Sequence, residues 1–356
     1  MQNPRFIIIR RDNIGDLVCT TPLLRALRQR YPDALIAALV NTYNRDVLDS
    51  HPVVDAVYAY EKAKHRVFGR SILAGYLDRW RLFRELRRRR FDYAILAGPG
   101  FQKHSLRLAK MAGVAHVIGF TGVGQSRGID IAVPYGHGQE LHEVEDIFRL
   151  LLPIGIEGPP PALLVSARVE EMEKVGRAIA GMKGAGPVIA LHISARKLSQ
   201  RWSSERFSAL GRLLGDRYRC RLLLLWSPGD ASNPRHPGDD DKAAIVASGL
   251  RSVECISYPT QTVVALCAAL AISDIFIGAD GGAMHLAAGL GKSVVAIFGD
   301  SSPQRWSPWG VASEILQAPS REVADIYPND VADAVGRVLE SQAVRNSRGG
   351  TPEQNA

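Results

Sequence analysis

Cysteine is scarce in this sequence, and long apolar runs are absent. The four cysteines in 356 residues (Cys19, Cys220, Cys255 and Cys267) have neither paired nor metal-type spacing. They read as small buried residues, which excludes a disulfide framework or a zinc cluster as the basis of the fold. No apolar stretch approaches the roughly 20 residues that a membrane-spanning helix needs. The opening MQNPRFIIIRRDNIGD passes from polar residues through an apolar triplet straight back to charge, so no secretory signal is expected. Together these features point to the cytoplasm. What is present suits a globular protein: 46% of the residues are apolar, and the length fits about two domains.

Acidic residues are lacking in one place. Residues 1–150 carry 23 Lys/Arg against 15 Asp/Glu, whereas residues 151–356 carry 21 of each, so the net charge of +8 lies wholly in the first half. It concentrates in 62–90, KAKHRVFGRSILAGYLDRWRLFRELRRRR, with 11 basic and two acidic residues. Leu73, Leu77, Trp80, Phe83 and Leu86 fall at helical spacing there and predict a basic amphipathic helix. Such a surface suits phosphate-rich partners such as nucleic acid, anionic lipid or a phosphorylated glycolipid; a merely solvated charged face accounts for it equally well.

Strand and helix signals alternate along the chain. In the first half, strands are predicted at 6–10, 34–40, 93–97 and 116–120, with helices at 17–30, 103–112 and 142–155 besides the basic one. EGPPPALL (157–164) reads as an extended linker, because its proline run stops a helix. A second series follows, with strands at 188–193, 220–226, 275–279 and 293–299. Its helices fall at 166–183, 204–217, 239–249, 260–271, 283–290 and 322–340. The polar tail at 341–356 is expected to be disordered. The pattern predicts an α/β protein of two doubly wound, Rossmann-like domains, 1–157 and 158–340, facing across a cleft.

Three connections carry candidate chemistry. After IFIGA comes Asp280-Gly281-Gly282 and then a helix, whose free N–H groups favour phosphate while the glycines let a ligand approach. Asp280 can accept hydrogen bonds from ligand hydroxyls or cap that helix. His285, in the first turn, can face a ligand or satisfy a buried carbonyl. Near the start, Asp16 in NIGD opens a helix, where it can complement the helix dipole or serve as a general base. No GxGxxG fingerprint is present, which weakens a dinucleotide-binding reading. His137, His142 and Glu145 could suggest a metal, but helix capping or cleft lining explains His142 without one.

Three segments together resemble glycosyltransferase family 9, the heptosyltransferases of lipopolysaccharide core synthesis. They are IIIRRDNIGDLVCTTPLLRALRQRYPDA, HISARKLSQRWSSERFSAL and GADGGAMHLAAGLGKSVVAIFGDSSPQRWSPWG, and the resemblance runs in order over about 5–340. It implies a GT-B architecture and inverting transfer of a sugar, heptose from ADP-heptose, with no cofactor or metal. Asp16 matches the family's base. Asp280, Gly281, Gly282 and His285 match the donor-binding turn, and Ser194, Arg196, Lys197 and Arg201 match the phosphate contacts. Thr20, Thr21 and His142 match the acceptor side, and Trp202 is expected to be structural.

Three departures from the family pattern stand out. Gln200 occupies the place of a frequent lysine, Gly281 that of a Ser/Thr, and the ribose-binding acid is displaced by SPGDASNPRHPGDDD to Asp241 or a neighbour. The implied partners are a nucleotide sugar, a phosphorylated glycan or glycolipid acceptor, and the inner membrane surface through 62–90, with no nucleic acid. Localisation is cytoplasmic or peripheral on that membrane. Two other classes remain: a sugar-nucleotide epimerase of the same architecture, active without acceptor, and a nucleic-acid-binding protein using 62–90, whose affinity would fall steeply with salt.

Overall fold

The computed structural model describes residues 3–60, 72–122, 127–136, 140–233 and 238–347. The chain divides into two units, Met1–Ser166 and Ala167–Ala356. In the first, the order is β1 (Arg5–Ile9), α1 (Ile14–Val18), α2 (Thr21–Arg30), β2 (Leu35–Asn41), β3 (Ala56–Tyr60), α3 (Ile72–Arg89), β4 (Tyr93–Leu96), α4 (Lys103–Ala112), β5 (His116–Thr121), β6 (Ile131–Pro134) and α5 (Glu143–Phe148). The second runs α6 (Val169–Ile179), β7 (Val188–His192), α7 (Ser204–Tyr218), β8 (Arg221–Trp226), α8 (Asp240–Gly249), β9 (Cys255–Pro259), α9 (Val263–Ile272), β10 (Ile275–Ala279), α10 (Gly282–Gly289), β11 (Ser293–Phe298), α11 (Pro303–Trp306), β12 (Ser313–Gln317) and α12 (Pro328–Ser347).

Each unit is built on a six-stranded sheet, ordered β3-β2-β1-β4-β5-β6 in the first and β12-β11-β10-β7-β8-β9 in the second. All pairings are parallel. The two orders are the same when each sheet is counted from its own first strand, and the order in which strands are added reverses between β1 and β4 and between β7 and β10. At such a switch point the loops after adjacent strands diverge and leave a crevice beyond their carboxyl ends. The central strands are apolar throughout because helices cover both faces. Ile7, Ile9, Leu39 and Leu96 anchor one core, and Leu191, Leu222, Leu224, Ile277 and Val295 anchor the other.

Several local expectations change. The helix expected over 17–30 breaks at Cys19–Thr20, and α2 begins with Pro22 in its first turn. Proline lacks the N–H that a continuous helix would use there, and its ring crowds the preceding turn. The 142–155 helix passes from α5 into a 3-10 segment carrying Pro153 and ends at Gly155 in the left-handed conformation. The proline-rich 157–164 stretch packs on the first unit rather than hanging as a linker. Arg25 donates to Ala162 O at 2.8 Å, Thr21 Oγ1 accepts from Leu164 N at 3.0 Å, and Leu163 and Val165 are buried. The division therefore falls after Ser166 rather than at 157/158. Residues 341–347, expected in the tail, continue α12; 348–356 lie outside the described residues, as do 61–71 of the basic segment. Within α3, Phe83 and Leu86 enter the core while Leu77 and Trp80 are exposed, so the expected apolar face splits in two.

Candidate active site

At the first switch point, Arg10 directly follows β1, and α1 begins four residues further on. Arg10 is fully buried, which an arginine tolerates only when its charge is paired. Its Nη1 donates to Ala97 O just beyond β4, and its Nη2 donates both to Asp16 Oδ1 at 2.9 Å and to Glu143 Oε1 at 2.8 Å. Asp12 approaches Nε at 3.3 Å. Burial opposes the Arg10 charge, but Glu143, Asp16 and Asp12 outweigh it and hold the guanidinium above its ordinary range. Asp16 Oδ2 accepts from Asn13 N at 2.8 Å and Asn13 Nδ2 at 2.9 Å. It therefore caps α1 and faces a cation at the same time, so the capping and chemical readings are compatible.

At the second switch point, the loops after β7, β10 and β11 are tied together. Asp280, directly after β10, is almost fully buried. Its Oδ2 accepts from Gln200 Nε2 at 2.9 Å and from the Ser301 hydroxyl. Burial raises its carboxyl above the ordinary value; the Ser301 bond, the Lys197 charge and the Gln200 bond only partly offset this. Ser199 Oγ donates to Asp300 Oδ1 at 2.9 Å, and a Cβ on Gly299 would stand 2.2 Å from Ser199 O, so only glycine permits this approach. Gly281 has φ +156°, where L side chains are strained, and the space around it is open. The missing Ser/Thr hydroxyl thus follows from the backbone, and α10 starts behind an uncluttered turn.

The family model for glycosyltransferase family 9 (heptosyltransferase) matches residues 79–331, more than half of the sequence. The chain belongs to glycosyltransferase family 9. It is accordingly a glycosyltransferase. It is 22% identical to lipopolysaccharide heptosyltransferase 3 of Escherichia coli, over 94% of this chain and 98% of that protein. Among solved structures, it resembles a family 9 glycosyltransferase of Veillonella parvula with a TM-score of 0.81 at 17% identity, covering 96% of this chain and 98% of that one. It also resembles the ADP-heptose lipopolysaccharide heptosyltransferase II of E. coli, with a TM-score of 0.76 at 19% identity over 95% and 99% of the two chains. These structural likenesses establish the GT-B fold of two doubly wound α/β units.

Within this family 9 enzyme the residues singled out from sequence fall into two groups. Asp280, Gly281, Gly282, Ser194, Lys197 and Arg201 all lie on the loops after β7 and β10, at the carboxyl ends of those strands. Ser194 Oγ accepts from Ser227 N at 2.9 Å, which joins the loops after β7 and β8. Arg201 Nε donates to Ala195 O at 2.9 Å and braces its own loop, whereas Arg196 and Lys197 project into solvent. Of the basic residues there, Lys197 is the one whose charge is felt at Asp280. Asp241 is exposed near the start of α8; its neighbour Asp240 is engaged by Trp226 Nε1 at 2.7 Å and Gly229 N at 3.0 Å.

The other group is buried. Thr20 and Thr21 are fully buried, and their hydroxyls donate to Asp16 O at 2.9 Å and Val18 O at 2.7 Å. Both hydroxyls are thus engaged by backbone carbonyls of the preceding helix. His142 caps α5: its Nδ1 accepts from Val144 N at 3.1 Å, and its own N donates to Glu145 Oε2 at 3.0 Å. His285 is buried on α10, edge-on to Trp306 at 6.1 Å. Trp202 is buried, as expected, and donates to Ile326 O at 3.0 Å. His137 lies outside the described residues, among which no three His, Cys, Asp or Glu gather as a metal site.

Sequence reasoning missed Arg10, Glu143 and Lys242. A charged residue ending the apolar run FIII was a usable signal for Arg10; Glu143, 133 positions away, offered none. Gln200 was noticed as a departure, but not as a direct partner of Asp280. Lys242 donates to Ile193 O at 2.8 Å, and burial pushes its amine down to about 8, so a half-buried amine lies beside the loop after β7.

Proposed function

We propose that this enzyme is an inverting transferase that moves heptose from ADP-heptose to a hydroxyl of a lipopolysaccharide core or a related phosphorylated glycan. The observation that carries the reading is that Asp16 and Asp280 each follow a strand flanking the switch point of its own sheet, β1 in the first unit and β10 in the second. Those are the positions where doubly wound sheets take their ligands. The relatives' names supply the sugar, the nucleotide and the acceptor class.

In the proposed reaction an acceptor hydroxyl gives its proton to Asp16 while its oxygen forms a bond to the anomeric carbon. The bond from that carbon to the diphosphate oxygen breaks, and ADP leaves with the electron pair. Asp16 supplies the base, a contribution on the order of 10²–10⁴ in rate. The α10 N-terminus behind Gly281, with Lys197 and Arg196, suits the charge that develops on the leaving diphosphate. Asp280, through its second oxygen, suits hydroxyls of the donor.

We infer further that α3 rests on an anionic membrane surface on the cytoplasmic side. Tyr76, Leu77 and Trp80 are exposed beside Arg79, Arg81, Arg84 and Arg88, a pairing of interfacial aromatics with cations that suits phosphate headgroups. Among the described residues no helix is long and apolar enough to cross a membrane.

A thermal-shift screen against ADP-heptose and GDP-, UDP- and dTDP-sugars tests the donor, followed by transfer to deacylated lipopolysaccharide core. ADP-heptose should stabilise the protein most, and product should require acceptor. Conversion of a nucleotide sugar without acceptor would replace this reading with an epimerase.

A further inference from the structure

We propose that Glu143 is a positioning residue for Asp16, acting through the Arg10 guanidinium that both carboxylates share. The inference rests on the reading of Asp16 as the base and names what tunes it. Nη2 of Arg10 donates to Asp16 Oδ1 at 2.9 Å and to Glu143 Oε1 at 2.8 Å, so one nitrogen links α5 to the start of α1. The Arg10 side chain is 0% exposed and that of Glu143 1%, against 12% for Asp16. Of the two carboxylates on that nitrogen, only Asp16 reaches solvent.

The charge arithmetic gives this arrangement a purpose. A carboxylate facing a lone arginine is stabilised as the anion, typically by one to three pH units, and becomes a poor proton acceptor. A second carboxylate on the same guanidinium divides that field and opposes a neighbouring negative charge directly, so removing Glu143 leaves Asp16 facing Arg10 alone while Arg10 keeps the geometry. The bonds also select an atom. Asp16 Oδ2 takes two hydrogen bonds from Asn13, whereas Oδ1 takes the one from Arg10. A carboxylate oxygen accepts two in its plane, so the remaining lone pair for a hydroxyl proton is on Oδ1.

The other charged groups nearby are few. Arg11 and Asp12 lie on the same connection, and Arg11 donates to the Tyr60 hydroxyl. On α5 and its cap are His142, Glu145 and Asp146; Glu145 is held by the His142 backbone and Asp146 pairs with Arg149 at 3.0 Å. The 45–48 turn packed against α1 carries Arg45 and Asp46, both exposed.

The test is a carbon-13 carboxylate titration by NMR on the full chain labelled at aspartate, with Asp16 identified by the signal lost in Asp16→Asn. Glu143→Gln keeps the shape and the Arg10 bond but removes the charge; the Asp16 midpoint is expected to fall by about one pH unit. Arg10→Met should move it the other way by at least as much. With ADP-heptose and deacylated lipopolysaccharide core, the acidic limb of kcat/KM should follow the same two directions. In Glu143→Gln, kcat should drop about tenfold, with donor KM little changed. A folded Glu143→Gln with an unmoved Asp16 midpoint would overturn the proposal, since a merely structural role predicts no shift. Should Glu143→Gln not fold, Glu143→Asp keeps the charge with a shorter reach: the midpoint should hold while kcat falls, and an unchanged kcat would overturn it. Wild-type turnover in Asp16→Asn would sink the base assignment itself, a separate outcome.

Discussion

Asp16 and Asp280 each follow a strand beside the switch point of its own sheet, yet they are held in opposite ways. Asp16 faces a buried cation, Arg10, and keeps an edge in solvent. Asp280 is more deeply enclosed and is held by an amide and a hydroxyl, with its cation, Lys197, at a distance on an exposed stretch. The first arrangement fixes a carboxylate against a buried cation; the second leaves one whose charge burial disfavours. In the proposed reaction the first carboxylate is the base and the second meets the donor, and the neighbours of each suit these different roles.

The largest effect expected from breaking this comparison is on turnover. Asp16→Asn should lower kcat by about a thousandfold, within the range for a lost general base, measured with ADP-heptose and deacylated core. A drop of less than about tenfold would remove the contrast. The next effect is on stability. Burial raises the Asp280 carboxyl above its ordinary 3.8, so its ionisation costs the fold as pH climbs past that value, and the cost is absent below it. Asp280→Asn should therefore raise the Tm at pH 7 by a few degrees, the response of a domain of this size to about 1 kcal/mol. The gain should vanish as the pH falls toward 4. A lower Tm at pH 7 would show that the ionised group is favoured as it stands.

Gln200→Lys sharpens the contrast by giving Asp280 the cation that Asp16 already has. In that background the Tm gain from Asp280→Asn should disappear; its persistence would mean that neutral neighbours do not set the state of Asp280. A smaller effect belongs to the surface. Leu77→Ala with Trp80→Ala should weaken binding to phosphatidylglycerol vesicles about tenfold while transfer to soluble core stays unchanged. The smallest concerns the exposed Arg81–Asp78 pair at 3.6 Å, the counterpart of the buried Arg10 pairs. Asp78→Asn should leave the Tm within about one degree, because solvated ion pairs contribute little.

Much of the fold was legible because, among the described residues, eight of the twelve strands lie inside their sheets and read as apolar runs. The four that escaped notice, β3, β6, β9 and β12, are the outer strands of the two sheets. Half-exposed on one side, they alternate or dilute their apolar residues: SEILQ and CISYP carry no run to detect. Periodicity in 62–90 likewise revealed a helix but not which of its apolar residues would be buried.

The site was legible where a motif is local. Asp16, Asp280 and the glycine turn each sit beside a strand end, and chain order alone put them there. The partners that define their chemistry are distant in sequence: Glu143 meets Arg10 across 133 residues, and Ser301 and Gln200 reach Asp280 from separate loops. Such contacts follow from sheet order, which short-range pattern does not encode. Thr20 and Thr21 also stand in a local motif, and the break before α2 turns both hydroxyls inward to backbone carbonyls, an orientation that the motif does not encode.

The most direct test of this division of labour is calorimetric titration of ADP-heptose into Asp16→Asn and Asp280→Ala, side by side with the unaltered enzyme. Asp16→Asn should bind the donor as the parent does, and Asp280→Ala at least about tenfold more weakly, the loss of a charge-assisted hydrogen bond. Equal affinities in all three, or a loss confined to Asp16→Asn, would contradict the assignment of chemistry to one carboxylate and donor binding to the other.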